Sequence, residues 1–190
     1  GTFWYANGDF YKGEWEDDGA HGHGTYSRAD GSTYNGQFVH DVQDGQGVEV
    51  WPDGKQYIGA YVNGVKHGEG TLTWTDGSKF AGGFFNDVIH GFGVHTWGKL
   101  GHRYEGEFQR GQMAGQGIFT NEDGSEYNGQ FHEGRKHGQG TLKSLDGRVF
   151  AGTWDLGRQH GAGTTTAANG ETKEEVWHEG KLVQPRTPKK

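Results

Sequence analysis

Aromatic and polar positions alternate along this chain over short stretches, and the alternation restarts at a fixed interval. Tyr11, Gly13 and Trp15 share one parity while Lys12 and Glu14 share the other, and the spacing returns at Tyr34-Gly36-Phe38, Tyr57-Gly59-Tyr61 and Phe80-Gly82-Phe84. It continues at Tyr104-Gly106-Phe108, Tyr127-Gly129-Phe131 and Phe150-Gly152-Trp154, in steps of 23 residues with one step of 24 between Phe80 and Tyr104. A period of two predicts strands that carry their rings on one face, and a period in the twenties predicts a tandem repeat.

A second signature follows the first inside each repeat. His-Gly-x-Gly stands at His21, His67, His90, His137 and His160, with Asp44-Gly45 and Ala114-Gly115 in the two repeats that depart from it. Each repeat then closes on Asp-Gly or Asn-Gly, at Asp30, Asp53, Asp76, Asp123, Asp146 and Asn169, dipeptides that tolerate positive φ and predict hairpin turns. The fourth repeat has Gly98-Lys99-Leu100-Gly101 instead, where the extra residue sits. Glycines inside the predicted second strand, such as Gly22 and Gly24, share parity with Tyr26 and leave room for rings to lie flat over the backbone.

One hairpin of this length cannot bury its own apolar face, whereas hairpins stacked side by side pack rings against rings. The expected fold is therefore all-β, an elongated, rod-like, single-layer antiparallel meander. An open edge at either end invites another strand.

Composition changes this picture less than its numbers suggest. Gly at 38 of 190 residues and only 30% hydrophobic residues would by themselves predict disorder, but the periodicity and 14% aromatic content point instead to a core built of Tyr, Phe and Trp. A net charge of -7 argues against nucleic acid as a partner. Without Cys there are no disulfides and no thiolate metal sites. A signal sequence, a bilayer-length apolar run and an Asn-x-Ser/Thr site are all missing from these residues, so a cytoplasmic address is expected. The chain opens at Gly1-Thr2 with the pattern already running, which suggests a longer array.

The order Y-x-G-x-W-x-x-G-x-x-H-G-x-G with a later Asp-Gly resembles the MORN (membrane occupation and recognition nexus) repeat, from about Tyr5 to Gly180. In these terms residues 1–10 end a preceding repeat and 11–172 hold seven repeats. Residues 173–190 form a degenerate repeat, with Lys173 and Glu175 in place of the leading aromatic and Gly but with Trp177 kept, and then a basic tail that includes Lys181, Arg186, Lys189 and Lys190.

The resemblance is to proteins built only of such repeats, of the protist cytoskeletal type. It implies a non-enzymatic scaffold that homodimerises through its C-terminal repeats, binds other cytoskeletal proteins and organises a membrane-associated cytoskeletal structure. Arg135, Lys136, Leu145, Val176, Trp177 and Leu182 are then the candidate dimer interface. The alternatives are a regulatory array cut from a larger enzyme and an acidic-phospholipid-binding module, for which Lys99, His102 and Arg103 are the candidate lipid contacts.

Candidate chemistry adds little to this. The five repeat His fall on a line at one repeat position, too far apart for neighbours to share an ion, so no metal or cofactor is expected. Repeated carboxylates such as Glu14 and Glu107 see similar surroundings, whereas a catalytic pair needs two unlike ones. Trp51, Trp74 and Trp97 share a register held elsewhere by Arg28, Asn121, Ser144 and Ala167. They are either part of the aromatic core or a ladder that receives a partner in a groove.

Overall fold

The computed structural model describes residues 1–185, and the expected basic tail at Arg186, Lys189 and Lys190 lies outside the described residues. The chain divides into two compact units, Gly1–Lys99 and Leu100–Lys190. The first holds β1 (Thr2–Trp4), β2 (Phe10–Glu16), β3 (Gly19–Ser27), β4 (Thr33–Val39), β5 (Val42–Val50), β6 (Gln56–Val62), β7 (Val65–Thr73), β8 (Lys79–Phe85) and β9 (Val88–Thr96). The second holds β10 (Arg103–Gln109), β11 (Gln112–Thr120), β12 (Glu126–His132), β13 (Arg135–Lys143), β14 (Val149–Asp155), β15 (Arg158–Thr166), β16 (Thr172–His178) and β17 (Lys181–Pro185). Within each unit every strand pairs antiparallel with the next, so the fold is an all-β meander of tandem hairpins.

Ring and glycine are complementary parts of one packing scheme. Tyr11 lies over the glycines of its own hairpin: a Cβ on Gly24 would stand 2.3 Å from the Tyr11 ring, and one on Gly13 would stand 2.4 Å from its hydroxyl oxygen. Removing both Cβ atoms lets the ring lie on the backbone, where it is fully buried. A sheet can thus bury its aromatics without a second layer above them. The rings then mesh edge to face. Tyr11 meets Trp15 of its own strand at 5.1 Å and Phe38 of the next repeat at 5.0 Å, and Tyr34 repeats the move with Phe38 and Tyr61. Tyr104, Phe131, Tyr127 and Trp154 continue the same zigzag in the second unit, and Phe150 passes it to Trp177 at 5.8 Å, in the degenerate repeat. Each such pair contributes about 1 kcal/mol beyond the area it buries.

A bulge explains why the leading ring is usually Tyr. The ladder skips one residue between Gly13 and Trp15, and again between Gly36 and Phe38. The skipped carbonyls accept from the tyrosine beside them, with Tyr11 donating to Glu14 at 2.8 Å and Tyr34 to Gln37 at 3.0 Å. The side chain of the skipped residue turns back to cap the other strand. Glu14 accepts the His23 N–H at 3.2 Å and Gln37 the Gln46 N–H at 2.6 Å. Gly22, at φ 64°, makes room for this, since a Cβ there would collide with Glu14 Oε2.

The turns differ from expectation. The two-residue hairpin turns lie inside each repeat, at Asp17-Asp18, His40-Asp41 and Asn86-Asp87, with both residues at positive φ. The Asp-Gly dipeptides close longer loops instead, in which Arg28 N–H donates to the Ser32 carbonyl. Only the glycine has positive φ there, because Asp30 is held by accepting both the N–H and the hydroxyl of Ser32. An Asx-type turn wins over the tight hairpin that the dipeptide predicts.

Candidate functional site

The face that carries the zigzag also carries a second row, set by the repeat position opposite each leading ring. Tyr26 pairs across from Tyr34, Glu49 from Tyr57, Leu72 from Phe80, Phe119 from Tyr127 and Leu142 from Phe150. This column is where the repeats stop being alike, so it is where a specific surface can be built.

Trp51, Trp74 and Trp97 begin the loops just beyond this column and are all half-buried, intermediate between the core and ladder readings. Trp51 N–H donates to the Lys55 carbonyl and Trp74 N–H to the Ser78 carbonyl, so the loop closure itself holds both rings in place. Lys55 Nζ sits 4.2 Å from the Trp51 ring centroid and Lys66 Nζ 4.9 Å. His95 stacks with both Trp74, at 5.2 Å, and Trp97, at 4.0 Å, and burial pulls its pKa below the ordinary histidine value. Sequence reasoning missed His95, although its place in the column of Tyr26, Leu72 and Phe119 was a signal.

Glu49 was missed as well. It is only 5% exposed and accepts from Arg28 at 3.0 Å, Lys66 at 2.9 Å and the Tyr61 hydroxyl at 3.0 Å. Burial by itself pushes this carboxyl up, but the hydrogen bond and charge of Lys66, with Tyr61 and Arg28, outweigh it and hold the group below the usual carboxylate range. The Tyr61 hydroxyl is pushed up by burial and by the same carboxylate.

The six candidate interface residues fall into distinct settings in the second unit. Arg135, Leu145 and Leu182 are exposed, while Lys136, Val176 and Trp177 are half-buried. Leu182, on β17, pairs across with Trp177 of β16. Lys136 lies over the rings of Tyr127 at 5.0 Å and Trp154 at 5.2 Å.

Lys99 is exposed in the first unit. In the second, His102 Nδ1 accepts the Glu122 N–H at 3.2 Å, and Arg103 forms an ion pair with Glu105, which offsets the charge a lipid headgroup would read.

Two of the repeat His lie beside carboxylates, His21 near Glu16 at 3.1 Å and His137 near Asp155 at 3.4 Å. Among the described residues no group of three or more His, Asp or Glu is gathered as a metal site. Among the described residues no helix is long and apolar enough to cross a membrane.

A family model described as MORN repeat matches residues 11–33, 34–56, 57–79, 80–100, 104–126, 127–147 and 150–172. A comparison with curated proteins gives no match. Among solved structures, the chain is similar to the SAS-4 (dCPAP) TCP domain of Drosophila melanogaster, in complex with a proline-rich motif of Ana2 (dSTIL). The likeness has a TM-score of 0.52 at 8% identity over 82% of this chain and 84% of that one. The TCP10 domain of Danio rerio CPAP, in complex with a peptide of Danio rerio STIL, aligns over 97% of this chain and 92% of that one at 16% identity, with a TM-score of 0.37.

Proposed function

The chain belongs to the MORN repeat family, and from that premise we propose that it is a non-enzymatic scaffold which holds partner proteins on its aromatic face, within a cytoplasmic, membrane-associated cytoskeletal structure. The observation that carries this reading is the half-buried row of Trp51, Trp74, His95 and Trp97 beyond the core zigzag, in which loop closure fixes Trp51 and Trp74 and His95 of β9 stacks on Trp74 and Trp97. Pre-placed indoles lose little freedom on binding and concentrate binding energy. A proline-rich motif is bound by the Drosophila TCP domain that shares this fold, and such extended segments dock on aromatic-lined grooves.

Replacing Trp74 and Trp97 together by alanine should move the tagged full-length chain from the detergent-resistant cytoskeletal fraction to the soluble one. Retention equal to wild type would sink the aromatic-face reading.

Homodimerisation through the C-terminal repeats is the second part of the proposal. We take residues 1–10 as the end of a preceding repeat, 11–172 as seven repeats and 173–190 as a degenerate repeat with a basic tail. Leu182 on β17, with Trp177 beside it on β16, offers apolar side chains to a second copy, with Leu145 and Arg135 exposed on the same unit. Light scattering on the purified chain should give twice the monomer mass, and Leu182→Glu should return it to the monomer mass. A monomeric wild type removes this part and leaves the first intact.

A further inference from the structure

Two lysines stand at the same repeat position, and the chain treats them differently. Lys66 pairs across its hairpin with Tyr61, and Lys136 pairs with Phe131. At Lys66 two carboxylates answer the ammonium, Glu49 at 2.9 Å and Asp87 at 3.8 Å. The residue that takes the place of Glu49 beside Lys136 is Phe119, since both stand opposite the leading tyrosine of the next strand, Tyr57 or Tyr127. Gly157 takes the place of Asp87, for the N–H of each donates to the carbonyl of its lysine. Both anions are therefore missing at Lys136, and among the described residues it has no ion pair.

What remains around it is an open hollow of about 270 Å³ lined by Met113, Phe119, Phe131, Arg135, Lys136 and Gly157, with two cations and no carboxylate. Asp123 and Asp146 border a neighbouring hollow on the other side of Lys136, but Asp123 is held by Ser125 and Asp146 by Arg148. Burial pulls the Lys136 ammonium below the ordinary lysine value, in keeping with a cation shielded from water and given only ring faces in return. A desolvated charge of this kind is more stable once an anion reaches it.

We propose that Lys136 is an anchor for an acidic segment of a partner protein, whose Asp or Glu carboxylate takes the place that Glu49 fills beside Lys66 while a neighbouring apolar side chain enters the hollow. This deepens the scaffold reading and rests on it, naming the chemistry of one partner contact.

The probe is a capped peptide of alternating leucine and glutamate, with its leucine-glutamine counterpart as control, titrated into the full chain and followed by the ¹³Cε signal of Lys136. The glutamate peptide should bind at least tenfold tighter than the control and raise the Lys136 titration midpoint. Lys136→Met copies Met113 at the same position of the preceding repeat and should keep the fold while abolishing that preference. Phe119→Glu supplies the carboxylate within the chain, so it should raise the Lys136 midpoint without peptide and block binding.

Equal binding of the two peptides, absence of binding, or an undiminished preference in Lys136→Met overturns the proposal. A fall in the wild-type mass on Lys136→Met assigns the site to a second copy and overturns it too. None of these results touches the cytoskeletal retention that depends on Trp74 and Trp97, so the two readings fail separately.

Discussion

Replacing Gly70 by alanine should lower stability by about 3 kcal/mol, which for a chain of this size lowers Tm by roughly 10 °C. The added Cβ would stand 2.4 Å from the Tyr57 hydroxyl oxygen and 2.6 Å from two ring carbons, so the ring must leave the backbone on which it lies. Tyr57 also meets Tyr61 at 5.3 Å and Phe84 at 5.0 Å, so its displacement unseats the zigzag in two repeats at once. Gly54→Ala is the contrast. Its φ is 89° but a Cβ meets nothing within 4 Å, so only backbone strain of about 1 kcal/mol is expected. Urea unfolding of both variants measures the difference. The Gly70→Ala cost should shrink in a Tyr57→Ala background, because one ring carries both effects. Equal costs at Gly54 and Gly70 would show that ring-over-glycine packing does not hold the sheet together.

Glu49→Gln should cost about 3 kcal/mol, since it leaves Lys66 shielded among Trp51, Tyr57 and Tyr61 without its main anion. The triple variant Glu49→Leu, Tyr61→Phe, Lys66→Ile borrows Leu72, Phe84 and Ile89 from the same positions of the next repeat, leaves no buried hydroxyl without an acceptor, and should recover to within about 1 kcal/mol of wild type. The pH dependence has a definite sign. The folded carboxyl titrates below its ordinary value of 4.5, so its contribution is fully present above that value and is lost as pH falls through the folded pKa. Thermal unfolding between pH 6 and pH 3 should therefore lose stability more steeply in wild type than in Glu49→Gln. Parallel curves would mean that the carboxylate is not held by its partners.

Much of this is legible in the sequence. The alternation at Tyr11, Gly13 and Trp15 assigns the ring face, and its return every 23 residues assigns the stacking, because strand parity and repeat period are geometric consequences of spacing. The place of Trp177 in the zigzag follows from its register even though Lys173 and Glu175 break the motif around it. Turn type was less legible. His40-Asp41 carries weak hairpin chemistry, yet it makes the tight turn, while Asp30-Gly31 carries the strong signal and makes the longer loop. Strand register overrode local preference, and the Asp30 side chain found a better use on Ser32.

The candidate site was legible only in part. Trp51, Trp74 and Trp97 announce themselves as a departure from repetition, but His95 and Glu49 look like one more histidine and one more carboxylate in a chain with 11 His and 25 acidic residues. Their roles depend on which polar groups the fold shields and on what stands across the strand. Period and parity, which are properties of the backbone, come from the order of residues alone. Burial of Glu49 beside Lys66, and the empty place beside Lys136, come from side chains of neighbouring strands meeting in space. Only the tertiary structure decides such meetings, because a charge loses its water and finds or lacks a partner only when the strands are side by side.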